Sequence, residues 1–137
     1  MIIEYAPTTA SAIEFAAANR LEEWLHLFLC KEGSNKALSD GLKLQPRRYY
    51  PPKMMELCEF ERCCGPEASM TFQVPEAAFL RRVANIAKAY EKGDGDMPPL
   101  IVCRENCGYT LSDGNHRYQA LKNIDIARYW VIVWESL

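Results

Sequence analysis

The stretch Leu111-Ser112-Asp113-Gly114-Asn115-His116-Arg117-Tyr118 concentrates the residue types that do chemistry in this chain. It places a glycine turn, two cap-forming side chains, a histidine and an arginine where a strand gives way to a helix. The first N–H groups of a helix lack partners within it, and the helix dipole favours negative charge there. Gly114 lets a ligand approach the backbone because no Cβ stands in the way. Arg117 offers a planar fork suited to phosphate, and His116 a further donor or acceptor. The pattern predicts an anion pocket built from Asp113, Gly114, Asn115, His116 and Arg117. The plainer alternative is that Asp-Gly-Asn is turn and cap chemistry and Arg117 a solvated charge.

The remaining candidates carry less. Cys58-x4-Cys63-Cys64 and Cys103-x3-Cys107 lack the paired C-x2-C knuckles of a zinc site, so Cys30 and these five are read as separate thiols. His26 has no ligand partner at i+4 and reads as an ordinary helix histidine. Arg47, Arg48 and Lys53 interleave with Tyr49 and Tyr50, a pattern that suits nucleic acid, but the reading favoured is a solvated charged loop beside two packed tyrosines.

These side chains need a scaffold, and composition says which kind. With 137 residues, 49% hydrophobic and 25% charged, the chain is sized for one globular domain rather than a disordered segment. A formal charge of −2 does not suit a protein that coats nucleic acid by electrostatics. No apolar run approaches the ~18 residues of a membrane span. The first nineteen residues carry no Lys or Arg, so neither a secretory nor a transit signal is read and the cytoplasm is expected.

Along the chain, Ile13, Ala17, Leu21, Trp24, Leu25 and Phe28 follow helical spacing, which predicts one amphipathic helix over Ser11–Leu29, ending near Gly33-Ser34-Asn35. Its stripe is read as core, with a homodimer through that face as the alternative. Residues 1–34 are taken as an N-terminal helical extension and 35–137 as the main domain. Between Asn35 and Val74 the reading is poorest; Met54–Phe60 suits a short helix and Met70–Val74 a strand. Pro75 and Glu76 open a helix carrying Phe79, Leu80, Val83, Ile86, Ala87 and Tyr90, which stops at Gly93-Asp94-Gly95. Pro99–Cys103 and Tyr109–Ser112 read as a hairpin, Asn115–Asn123 as a helix, and Arg128–Trp134 as a strand buried on both faces. The class is α+β: one small mixed sheet with packed helices.

Pro98–Val102, Gly108–Leu121 and the strand Tyr129–Trp134 resemble the ParB/sulfiredoxin superfamily, and Gln45-Pro46-Arg47 is similar to the Gln-Pro-Arg stretch of ParB N-terminal domains. The resemblance implies a single-domain ParB/sulfiredoxin-like fold holding ATP or CTP with Mg2+ at Gly114, Asn115, His116 and Arg117, with Arg47 added to the binding set. Sulfiredoxins need a cysteine just before the His-Arg pair; Asn115 stands there, which argues against sulfinic acid reduction. ParB proteins complete their CTP site and bind DNA with a region after this domain, so with the sequence ending at Leu137 strong DNA binding by this chain alone is not expected. Free-serine kinases of the superfamily carry Asp-Gly-His-His-Arg, similar to Asp113–Arg117, and use an upstream acid as base. Counterparts are Glu56, Glu59, Glu61, Glu67 and Glu76, and no local pattern selects among them. The expectation is a nucleotide- or phosphate-binding protein, with ATP-dependent phosphotransfer as its reaction if it is an enzyme; a non-catalytic interaction or partition-related module is the alternative.

Overall fold

A computed structural model describes residues 2–93 and 96–137. Its centre is the strand β7 (Arg128–Ser136), the apolar run singled out above. β5 (Leu100–Glu105) lies parallel to it and β6 (Gly108–Asp113) antiparallel to β5. On the other side of β7 two short strands run antiparallel to it: β1 (Arg47–Tyr49) against its C-terminal end, β2 (Lys53–Glu56) against its N-terminal half. The expected hairpin and its sheet are therefore present, with the turn at Asn106 and Cys107, both at positive φ. Asp94 and Gly95 of the expected helix stop lie outside the described residues.

Alternation along β5 and β7 builds two cores from one sheet. Leu100, Val102, Val131 and Val133 face one side, where Leu111, Tyr118, Leu121 and Phe60 join them. Ile101 and Ile132 face the other, against Ala12, Phe15, Trp24, Leu25, Phe28 and Leu29. Residues 1–34 and 35–137 thus share one hydrophobic cluster. The helices on the first side are α4 (Glu76–Glu91) and α5 (Asn115–Asn123), joined through Phe79, Val83 and Ala120.

Three local expectations are corrected. The helix predicted over Ser11–Leu29 is two, α1 (Thr9–Ala17) and α2 (Leu21–Cys30). Asn19 takes φ 60°, Arg20 N–H donates to Phe15 O and Asn19 N–H to Ala16 O, the bonding of a Schellman stop. The break rotates the stripe: Ala12 and Phe15 face inward, whereas Ile13 is 40% exposed. Second, Met54–Phe60 is not a helix. Its residues form β2 and a single 3-10 turn, Leu57–Glu59, because pairing with β7 places Met55 in the core and overrides the helical propensity of Met and Glu. Third, the strand expected over Met70–Val74 shrinks to β4 (Phe72–Gln73), parallel to the two-residue β3 (Cys64–Gly65). A helix that the sequence did not mark, α3 (Lys36–Leu42), follows α2.

Candidate anion site at the start of helix α5

Gly114 is the hinge of the site. It takes φ +98° between β6 and α5, and a Cβ there would lie 2.6 Å from Leu100 Cδ2 and 2.9 Å from the Arg117 guanidinium. Its carbonyl accepts the first helical bond, from Tyr118 N–H at 2.8 Å. No side chain caps α5, so the N–H groups of Asn115, His116 and Arg117 have no partner within the helix. All four residues line a cavity of about 560 Å³ bounded by residues 33–35, by Ala37 and Leu38 in the first turn of α3, by Cys63 and Cys64, by Phe72 and by Arg82 on α4. A second cavity of about 310 Å³ adjoins it across Arg82, Ile86 and Arg117.

Asp113 does not cap α5, contrary to the cap reading. Its Oδ1 accepts from Asn35 Nδ2 at 3.0 Å, and its Oδ2 lies 3.7 Å from Arg117 Nη2. Asn35 also caps α3 through Leu38 N–H, so one amide ties that helix to the site. Asn115 is not a cap either. Its Oδ1 accepts the N–H groups of Cys63 and Cys64, at 2.9 and 3.1 Å, and holds β3 over the start of α5.

Arg117 departs furthest from expectation. Its side chain is only 12% exposed; Nη2 donates to Pro99 O at 3.1 Å and the guanidinium lies over the Phe28 ring, 5.4 Å from its centroid. Burial pushes it below its ordinary pKa, and the Asp113 carboxylate pushes back. Nε, also buried, has no hydrogen-bond partner among the described residues. Arg117 is thus a clamp between α2, β5 and α5 whose charge reaches the cavity, not a solvated fork.

The exposed cation of the wall is Arg82, which the sequence reading missed; only its helical spacing from Phe79 and Ile86 signals that it faces the site. His116 rests on the Phe79 ring, 4.9 Å between centroids. Burial, then the charges of Arg82, Arg117 and Arg62, push its pKa down to about 4, so the imidazole is neutral at pH 7. Burial likewise pushes the Cys63 and Cys64 thiols up.

Arg47 does not join this site. It donates to Gly41 O and Leu42 O at the end of α3 and to Ser136 Oγ, and stacks on Trp134 at 5.0 Å. The need of the α3 carbonyls for donors explains the placement. Nor does any of Glu56, Glu59, Glu61, Glu67 or Glu76 line the cavity; all five are exposed, and Glu67 is held by Arg62. Among the described residues the only carboxylate on this cavity's wall is Asp113. Engaged by Asn35 and facing Arg117, it does not form a Mg2+ site from protein groups alone, and among the described residues no cluster of three metal-ligating side chains occurs. Nor is any described helix long and apolar enough to cross a membrane.

No family profile matches the chain, and no curated protein matches it in sequence. Among solved structures the chain is similar to a Pnob8-like ParB-N domain (15% identity, TM-score 0.48, 67% of this chain and 32% of that one). It is similar to sulfiredoxin from Arabidopsis thaliana (16%, 0.46, 60% and 82%). It is also similar to a free serine kinase mutant in complex with AMP (17%, 0.43, 60% and 30%). The likeness spans about a third of the ParB-N and kinase chains and concerns the course of the backbone.

Proposed function

We propose that the chain binds a nucleotide, ATP or CTP, or a simpler phosphate ester at the start of α5. The observation that carries this reading is the uncapped first turn of α5, opened by Gly114 and facing a cavity walled by Arg82 and Arg117. Free N–H groups, the positive end of the helix dipole and two guanidinium charges all favour an anion at one place. Phosphate is the anion such a cradle suits best, since its oxygens accept from several donors at once.

Phosphotransfer is the reaction class we infer for the site, because that chemistry depends chiefly on positioning and charge stabilisation. Arg82 and Arg117 supply charge, and the α5 N–H groups supply positioning. Mg2+ would enter with the nucleotide and neutralise its phosphates, with Asp113 the carboxylate among the described residues of this wall that could assist. The competing interaction-module reading needs the α1–α2 stripe free, but Trp24, Leu25 and Phe28 are buried against the sheet.

The test is a thermal-shift and calorimetric titration with ATP, CTP, AMP, pyrophosphate and inorganic phosphate, each with and without Mg2+, at low ionic strength. Polyphosphates are expected to raise Tm and to bind more tightly than inorganic phosphate. Absence of binding by every one of them at millimolar concentration would overturn the reading.

A further inference from the structure

The cavity at α5 is larger than a phosphate needs. At about 560 Å³ it falls within the roughly 300–1,000 Å³ of sites that enclose whole small molecules. Its donors gather at the α5 turn, while Phe72, Leu38 and Ile86 make part of its wall apolar. Phe72 is the unusual member: a large aromatic ring left 62% exposed on a two-residue strand.

That strand is held firmly. Phe72 N–H donates to Cys63 O at 2.9 Å and Val74 N–H to Gly65 O at 3.1 Å. Cys63 and Cys64 are in turn bonded through their N–H groups to Asn115 Oδ1, on the first turn of α5. A short chain of hydrogen bonds therefore fixes the backbone of Phe72 relative to the N–H groups that would take a phosphate. An exposed ring at a set distance from an anion cradle suits a ligand with an anion at one end and a flat π-system at the other.

We propose that Phe72 is the platform on which the ring of a nucleotide base stacks, making it the residue that sets preference for nucleotides over simple phosphates. The proposal rests on the phosphate reading above and adds the chemical class of the rest of the ligand. Stacking of a base on one aromatic side chain corresponds to a change of roughly five- to a hundredfold in affinity.

The experiment compares ATP with tripolyphosphate, which carries a similar chain of phosphates and no nucleoside, on the full chain and on Phe72→Ala, Phe72→Leu and Phe72→Trp. Because the ring is exposed, all three variants are expected to melt close to the parent; Phe72→Leu keeps apolar bulk without a π-face should Phe72→Ala fail to fold. The expected result is that Phe72→Ala and Phe72→Leu bind ATP roughly five- to a hundredfold more weakly, while tripolyphosphate changes less than twofold. Phe72→Trp should restore ATP affinity, with its added fluorescence quenched by ATP and not by tripolyphosphate. If tripolyphosphate binds and the Phe72 variants leave ATP affinity unchanged, or weaken both ligands equally, the platform is refuted and the phosphate site stands. If the parent binds neither ligand, both readings fall.

Discussion

Two arginines in one cavity wall should behave oppositely. Arg117 is held by Pro99 O and faces Asp113, so Arg117→Ala leaves a buried carboxylate without its cation and should lower the stability of ligand-free protein by about 3 kcal/mol. Arg82 is exposed, and no ion pair among the described residues involves it. Arg82→Ala should leave Tm nearly unchanged and weaken polyphosphate binding by about 1 kcal/mol, roughly fivefold. Melting curves and titrations of the two variants separate the roles; equal effects on Tm would contradict them. His116 adds a pH dependence. Its folded pKa of about 4 lies below the ordinary value, so the unfolded chain binds the proton first. Its contribution to stability is full above about pH 6.5 and is lost as pH falls from there towards 4. His26, also pushed down by burial, titrates in the same direction. The difference in Tm between parent and His116→Gln across that window therefore isolates His116, and the variant should show the shallower slope.

At the scale of elements, the site depends on the β6–α5 junction more than on any side chain. Gly114→Val places a branched Cβ at φ +98°, against Leu100 and Arg117. The backbone strain and the clash together should cost at least about 2 kcal/mol, and phosphate affinity should fall with them. Circular dichroism melts and a pyrophosphate titration measure both; a variant as stable as the parent would show that the turn tolerates another course. The junction was legible in the sequence because glycine and asparagine mark turns by local chemistry. The Schellman stop at Asn19 has the same local origin, yet it went unread because the stripe from Ile13 to Phe28 masks it. β2 was illegible, and the strand read over Met70–Val74 was cut to β4, for another reason: a strand of two to four residues is made by its partner, here β7 or β3, and not by its own pattern.

For the whole molecule, α1 and α2 are one layer of the fold. Ile101 and Ile132 are 0% exposed because these helices cover them, and Trp24 is 0% exposed between. Trp24→Ala should cost about 3–5 kcal/mol, and removal of residues 1–34 should expose one face of the sheet and abolish cooperative unfolding. Urea denaturation of both variants tests this. A truncated chain that unfolds cooperatively with the parent's midpoint would make residues 1–34 a true appendage.

The sequence by itself determined the hairpin, the buried central strand, helix α5 and the glycine turn before it. Each depends on contacts within a few residues: period-two or helical spacing, and the backbone freedom of one glycine. Tertiary structure alone decided which charges face the cavity. Arg47, in a motif that promised binding, is turned to the end of α3 by unsatisfied carbonyls, and Arg117 is buried as a clamp. Arg82 and Phe72, from segments distant in sequence, line the cavity in front of α5. Local pattern sets where the backbone can turn, but which side chain meets an open helix end depends on how separate layers pack.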